Sequence, residues 1–551
     1  MKRALRTTII AAAVMSFTLT FTLTASAQQT PEQRDSLLAD FDLFIEYVEA
    51  THPDPYTPMG GRPYFARRAQ QMRERITAEP MTKDQYIEML SDMLTELHDG
   101  HTWIRTATSK PDVEGRVGMY LRALPDGVIF NLLPQSQRQY LGMRLKAVDG
   151  VPADKIIDAA EARYGCENRS SAMAKLCNTA TYLFTYARAL PELRDSLTIT
   201  VSDAQGADHT FSMPVMQQSQ WQSFLRDTAF VSLPHDKRFD AGNLEYRTID
   251  CGDKQVMYMR IAGIYGRECF EYMHRNGMPG WQDNLAYFYN RFMSEPMPDD
   301  PEEAIRRTPA FSERFAEMLS EMKRDGTETL IIDLRNNGGG WTPITLATIY
   351  MLYGDNYLTT SMGTTTARRI SPLYLEKVNM TLEEFNRSNG TTLRMGDYIF
   401  YEDDGGDDTS VEIKQVRRNF IDNAMTASAK LLRKLDGKPL YRPAQVYVVT
   451  DGNTFSAAFH YAFFLRRMGA KVVGLPSGQA PNTYMEQTLF KLPRTGIEGQ
   501  ISNCLQLFLP PEDPRAKTFT PDIVFTPEQY ASCGWDDNAE LILLLQQIAA
   551  E

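Results

Sequence analysis

The segment "ETLIIDLRNNGGGW" (328–341) is the strongest constraint on what this chain can become. Leu330, Ile331, Ile332 and Leu334 make a short run that is apolar on both faces. Such a run fits a strand covered on both sides, as in the sheet of an α/β protein. It passes directly into Gly338, Gly339 and Gly340. Three glycines let the backbone turn sharply, let another group approach closely and can point N–H groups at negative charge. No GK[ST] follows, so the phosphate-cradling loop is disfavoured.

The surrounding pattern agrees. From residue 245 onward strands and helices alternate: "QVMYMRI", the amphipathic "FSERFAEMLSEMKRDG", "ETLIIDL", "AQVYVV" and "KVVG". This alternation predicts an α/β layer around a largely buried sheet. Residues 31–97 read as helices, with apolar residues at helical spacing in "DSLLADFDLFIEYVEATHP", "YFARRAQQMRERI" and "KDQYIEMLSDMLTELHDG". The last of these is expected to end near Asp99-Gly100, leaving His101 on a loop. Residues 115–215 carry the short strands "GVIFNLL", "MRLKAVDG" and "LTITVSD". "EPMPDDPEE" (295–303) and "YEDDGGDDTS" (401–410) read as loops; the second lacks the twelve-residue calcium-loop pattern and reads as a solvated hairpin tip.

The first 27 residues have a basic tip, an apolar stretch and Ala25-Ser26-Ala27, which predicts a secretory signal peptide and a periplasmic or secreted protein. No later run approaches the ~20 apolar residues of a membrane span. The 551-residue chain carries 58 Lys+Arg against 70 Asp+Glu, a net charge of −12. With no basic run, nucleic acid and anionic membrane are poor partners. Six cysteines form no CxxC, which disfavours a zinc knuckle; Cys166 and Cys177 are the most plausible disulfide after export.

A second segment, "DGNTFSAAFH" (451–460), follows "AQVYVV" as strand, turn and helix. Ser456 falls at the helix start, where free N–H groups could hold an oxyanion. On the local sequence alone an N-cap role for Ser456 or Thr454 is the simpler reading. "NTFSA" is not the GxSxG turn of the α/β-hydrolases.

Taken together, "LIIDLRNNGGG" and "VYVVTDGNTFSAAFHYAFFLRRMGAKVVGLPSG" resemble the tail-specific (C-terminal-processing) serine peptidases. "LTELHDGHT" is similar to the Leu-x-Asp-x-His element of their tricorn-like branch, "GMRLKAVDGVPADKI" to their PDZ-like module and "FTPDIVFTPEQ" to a Pro-Asp strand near their C-terminal end. The resemblance implies an α/β, ClpP/crotonase-like spiral core with an N-terminal helical bundle and a PDZ-like β-rich module. The implied division is a signal peptide at 1–27, helices at 28–110, the PDZ-like module at 111–220 and the peptidase core at 245–551. It implies Ser456 as nucleophile, and Gly339 or Gly340 with the Ala457 N–H as oxyanion donors. Phe459 stands where the family has Glu. Gln479 and Ala480 stand where the processing branch has its lysine loop, and Lys471 and Lys491 lie elsewhere, so a Ser-Lys pair is not expected.

A histidine can replace the lysine. His460 lies one helical turn deeper and reads as packed. His101 matches the histidine of the tricorn-like branch and is the expected base. His98 and His101 also make an HxxH pair, but without a third nearby ligand a metal site is disfavoured. The resemblance places a supporting carboxylate before Pro521-Asp522, with Glu512 the best match and Asp513 the alternative. The expected activity is an exported serine endopeptidase working on polypeptides without metal or organic cofactor. The competing class is a non-catalytic ligand- or peptide-binding protein on the same scaffold; a hydrolase of a non-peptide ester or amide is a third option.

Overall fold

The computed structural model describes residues 30–108, 113–278, 280–403 and 412–551. Its central sheet is built around the apolar run identified above. Strand Thr329–Asp333 lies between Lys254–Arg260 and Gln445–Thr450 and is parallel to both. Lys471–Gly474 adds a further parallel strand, and Glu245–Cys251 closes the opposite edge antiparallel. Successive side chains point to opposite faces, as strand geometry requires. Leu330, Ile332, Val446 and Val448 pack with Met318, Leu319 and Met322 of helix Phe311–Asp325 and with Tyr461 of helix Ala457–Arg467. Ile331, Tyr447 and Val449 pack on the other side against Leu541, Leu544 and Ile548 of the C-terminal helix Ala539–Ala550. Each such buried aliphatic side chain contributes about 1.5–3 kcal/mol relative to exposure.

A buried ionic cluster fixes the strand end that leads into the glycines. Arg335 donates to both oxygens of Asp333 (3.0 and 2.9 Å), to Glu540 (3.1 Å) and to Asn538 Oδ1 (2.9 Å). Arg122, from a different sheet, grips Glu540 with two bonds of 2.8 and 2.9 Å. Burial pushes the Asp333 carboxyl up, but Arg335 and Arg260 more than offset this and hold it well below the usual range.

That other sheet has eight strands, between Arg116 and Ser232. Helices Ala153–Tyr164 and Arg169–Thr179 share its core, through Ile156, Ile157 and Leu176 against Val128, Phe130 and Ile199. The third sheet joins distant parts of the chain. Its two-residue edge strand Trp103–Ile104 pairs antiparallel with Glu498–Leu507, Trp103 opposite Gln500. The N-terminal helices Pro31–Thr51, Arg62–Ala78 and Lys83–Thr95 bury Phe44, Tyr86 and Leu90 in one cluster with Phe490, Leu492 and Ile501 of the same sheet region.

Several expectations need correction. Helix Lys83–Thr95 stops four residues before Asp99, because His98 takes a positive φ of 49° and the chain turns there. Part of the acidic 295–303 stretch is helical: Asp300 caps helix Pro301–Arg307 through the Glu302 N–H. Cys166 and Cys177 are both free thiols. The signal-peptide segment and most of the acidic turn, residues 404–411, lie outside the described residues. No helix among the described residues is long and apolar enough to cross a membrane.

Candidate active site

Ser456 sits between strand Gln445–Thr450 and helix Ala457–Arg467 with φ 53° and ψ −126°. A non-glycine residue in this region costs about 1–3 kcal/mol and persists only where its surroundings enforce it. Here the Ser456 N–H donates to Gln479 Oε1 at 2.6 Å, and Gln479 is wholly buried. The Ser456 side chain makes no capping bond, so the N-cap reading does not describe it. Thr454 instead donates its hydroxyl to the Leu334 carbonyl (2.9 Å), stapling the serine turn to the glycine strand.

The Ser456 Oγ lies 3.1 Å from His101 Nε2. His101 is delivered by the turn between helix Lys83–Thr95 and edge strand Trp103–Ile104. Its N–H donates to Asp99 Oδ1 (2.8 Å), its carbonyl accepts from Gln500 Nε2 (2.8 Å), and its ring lies 4.7 Å from that of Phe455. Burial lowers the imidazole pKa below its ordinary 6.5, opposed by the charge of Asp99.

The carboxylates beside this imidazole are Asp99 and Glu167. One oxygen of each and one ring nitrogen of His101 lie within 4.8 Å of one another, all three residues buried. Asp99 Oδ2 stands 3.4 Å from His52 Nε2 and accepts the Thr102 hydroxyl. Burial pushes Asp99 up, but His52, His101 and Thr102 together bring it below its ordinary value. Glu167 accepts the Gly100 N–H (3.2 Å) and the Ala480 N–H (2.9 Å). Burial, then the charge of Asp99, push its pKa up to about 8. Neighbouring carboxyls driven apart in this way take different protonation states at neutral pH: Asp99 ionised, Glu167 protonated.

Glu512 is not brought to this site. It is exposed in a turn, and Asp513 next to it pairs with Arg515 at 2.6 Å. No hydrogen bond joins either to His101 among the described residues. The Pro-Asp element that suggested them is used differently: Asp522 pairs with Arg466 (2.5 Å) and accepts the Val472 N–H (2.9 Å). The sequence marks neither Asp99 nor Glu167 as a site carboxylate. Asp99 lay within the quoted "LTELHDGHT"; Glu167, ahead of helix Arg169–Thr179, carried no distinguishing signal.

The glycine loop abuts the serine. A Cβ on Gly339 (φ 103°) would stand 2.7 Å from Ser456 Cβ and 2.9 Å from Ala457 N; one on Gly340 (φ 142°) would meet the Ile264 carbonyl oxygen at 2.2 Å. The Gly339 N–H is spent on Asn337 Oδ1 (2.9 Å), which removes it from the expected oxyanion donors in this arrangement. The N–H groups of Gly340 and Ala457 carry no intramolecular bond among the described residues.

The rival bases are placed elsewhere. Both ring nitrogens of His460 are engaged, by Thr342 Oγ1 (2.9 Å) and Gln506 Oε1 (2.6 Å), and burial lowers its pKa to about 4. His98 contacts the Cys166 carbonyl at 3.3 Å rather than sharing a ligand with His101. Lys471 is exposed, and Lys491 pairs with Glu498 at 2.8 Å. Phe459 is buried among Phe463, Phe508 and Phe519, so the position is part of the core.

Residues 304–507, which include the glycine loop and Ser456, match the family model of peptidase family S41. That segment is similar to the serine-type peptidases of family S41. No curated protein sequence matches the chain significantly. Among solved structures, mature CPAF is similar over 93% of this chain and 98% of its own, with a TM-score of 0.55 at 13% identity. Mature CPAF complexed with lactacystin gives 14% identity, 93% and 99% coverage and a TM-score of 0.52. At these identities the likeness is one of fold. It extends well beyond the S41 segment, over the helical region and the eight-stranded sheet. His101 lies outside that segment, so its place in the site rests on geometry.

Proposed function

We propose that this chain is an exported serine endopeptidase of the Ser-His type. The observation that carries the reading is the 3.1 Å approach of Ser456 Oγ to His101 Nε2. His101 accepts the hydroxyl proton as Ser456 Oγ attacks the scissile carbonyl. The resulting oxyanion is held by the N–H groups of Ala457 and Gly340, at the positive end of helix Ala457–Arg467. His101 then protonates the leaving amine, which leaves an ester on Ser456. Water, deprotonated by His101, attacks that ester and releases the acid product. Ionised Asp99, which accepts the His101 backbone N–H, supports the imidazolium by its charge through both halves.

Export rests on residues 1–27. The eight-stranded module, read by resemblance as PDZ-like, presents an extended polypeptide to the site by strand addition. The test is labelling by a fluorophosphonate probe. Wild type is expected to label; Ser456→Ala and His101→Ala are expected not to. A wild-type protein that fails to label at Ser456 while folded overturns the reading and leaves a binding role on the same scaffold.

A further inference from the structure

His52 closes helix Pro31–Thr51, where Pro53 behind it turns the chain out of the helix with φ −63° and ψ 132° at His52. The residue is wholly buried. It is fixed from three sides. Its carbonyl accepts from Arg369 Nη1 (3.0 Å) of strand Thr364–Arg369. Its ring lies 4.3 Å from that of Tyr484 in strand Asn482–Lys491. Its Nδ1 accepts the Asp54 N–H (3.2 Å). An Nδ1 that accepts leaves the proton of the neutral ring on Nε2. Nε2 faces Asp99 Oδ2 at 3.4 Å and makes no hydrogen bond to any other group among the described residues. A histidine kept for packing alone has no reason to turn this atom toward a buried carboxylate.

Asp99 needs such a neighbour. It is 1% exposed, and among the described residues no Lys or Arg forms an ion pair with it. A buried charge left without compensation is expensive. Against the burial that opposes its charge, His52 is the foremost group favouring the ionised form, ahead of His101 and Thr102. We propose that His52 is a positioning residue for the Ser456–His101 pair: its Nε2–H compensates the buried charge of Asp99 and keeps that carboxylate beside His101. The inference rests on the Ser-His reading and extends it by one residue. His52 touches neither nucleophile nor base and acts through Asp99. The ionisable groups around its ring are Asp99, Asp54 and Tyr484, with Arg369 on its backbone carbonyl. Without His52, Asp99 takes up a proton at higher pH, and the support it gives the imidazolium goes with it.

The experiment follows the rate of fluorophosphonate labelling at Ser456 from pH 5 to 9 in the full chain, which requires no knowledge of the substrate. His52→Phe fills the space without a donor. It is expected to lower the rate at pH 6.5 by roughly tenfold and to move the acid limb to higher pH, with the rate regained toward pH 9. Asp99→Asn moves the limb the other way, and its loss is not regained. His52→Gln, whose amide reaches the Nε2 position, is expected to label within about threefold of wild type, and His52→Asn, whose amide reaches only the Nδ1 position, to behave as His52→Phe. On the Asp99→Asn background, His52→Phe is expected to change the rate by less than about twofold. A folded His52→Phe protein with the wild-type rate and limb, or a loss that persists in full on the Asp99→Asn background, reduces His52 to packing and overturns the proposal. Melting temperature reports folding; where the Phe variant does not fold, equal rates in the Gln and Asn variants overturn it instead. A folded wild type that does not label overturns the Ser-His reading and this inference together.

Discussion

Ser456 Oγ and His101 Nε2 stand 3.1 Å apart although 355 positions separate the two residues in the chain. The contact depends on edge strand Trp103–Ile104, whose pairing with Glu498–Leu507 brings the histidine turn onto the sheet beside the core. Every other feature of the site is arranged around this approach.

The pH dependence follows from His101. A buried imidazole with a pKa below 6.5 stays neutral, and able to accept a proton, until the pH falls through that lowered value. The acid limb of kcat/KM is therefore expected below pH 6.5. Asp99→Asn removes the charge that raises His101, so the limb moves to still lower pH and kcat falls. A limb that stays in place, measured from pH 4 to 8, refutes the pairing.

Gln479 holds the nucleophile in its strained conformation. Gln479→Ala leaves the Ser456 N–H buried without an acceptor and is expected to cost about 1–3 kcal/mol of stability in urea unfolding, with kcat reduced more than KM. An unchanged kcat would show that the Ser456 geometry survives without it.

Gly339 has no room for a side chain. Gly339→Ala introduces a methyl 2.7 Å from Ser456 Cβ at a φ of 103°. It should abolish fluorophosphonate labelling even where circular dichroism shows a folded chain, and full labelling would contradict the packing described here.

Glu167 contributes a stability profile of unusual sign for a carboxyl. Its folded pKa of about 8 lies above the ordinary 4.5, so the proton is held more tightly in the folded state. The associated stability is complete below pH 4.5 and is lost as the pH rises toward 8. Glu167→Gln, which cannot ionise, is expected to flatten the fall of melting temperature across this interval. An identical slope in the variant would place the ionisation elsewhere.

Arg335 compensates Asp333 and Glu540 at the end of the glycine strand. Arg335→Met leaves these buried acids short of a partner and should cost about 3–5 kcal/mol by denaturant unfolding. A loss below about 1 kcal/mol would mean that Arg260 and Arg122 suffice.

Much of this was legible from residue pattern. The runs around Leu330, Val446 and Val472 are apolar on both faces because helices cover the sheet twice, and that is visible as an unbroken hydrophobic stretch. Ser456 and His101 were legible because each follows a regular element and matches a motif. Glu167 was not, since nothing in "GCENRS" distinguishes a buried acid from an exposed one; its burial is created by Gly100 and Ala480 arriving from distant segments. Glu512 was misplaced for the converse reason: closeness to Pro521-Asp522 in sequence says nothing about which way a turn faces.

The imidazole and the buried acids against it come from the first third of the chain, and the Ser456 hydroxyl from the last. A truncated product or a clipped remnant therefore lacks a working set, however well its own part folds. Dormancy is the default of every incomplete form, because a chain cut short of residue 456 has no hydroxyl to set against the imidazole.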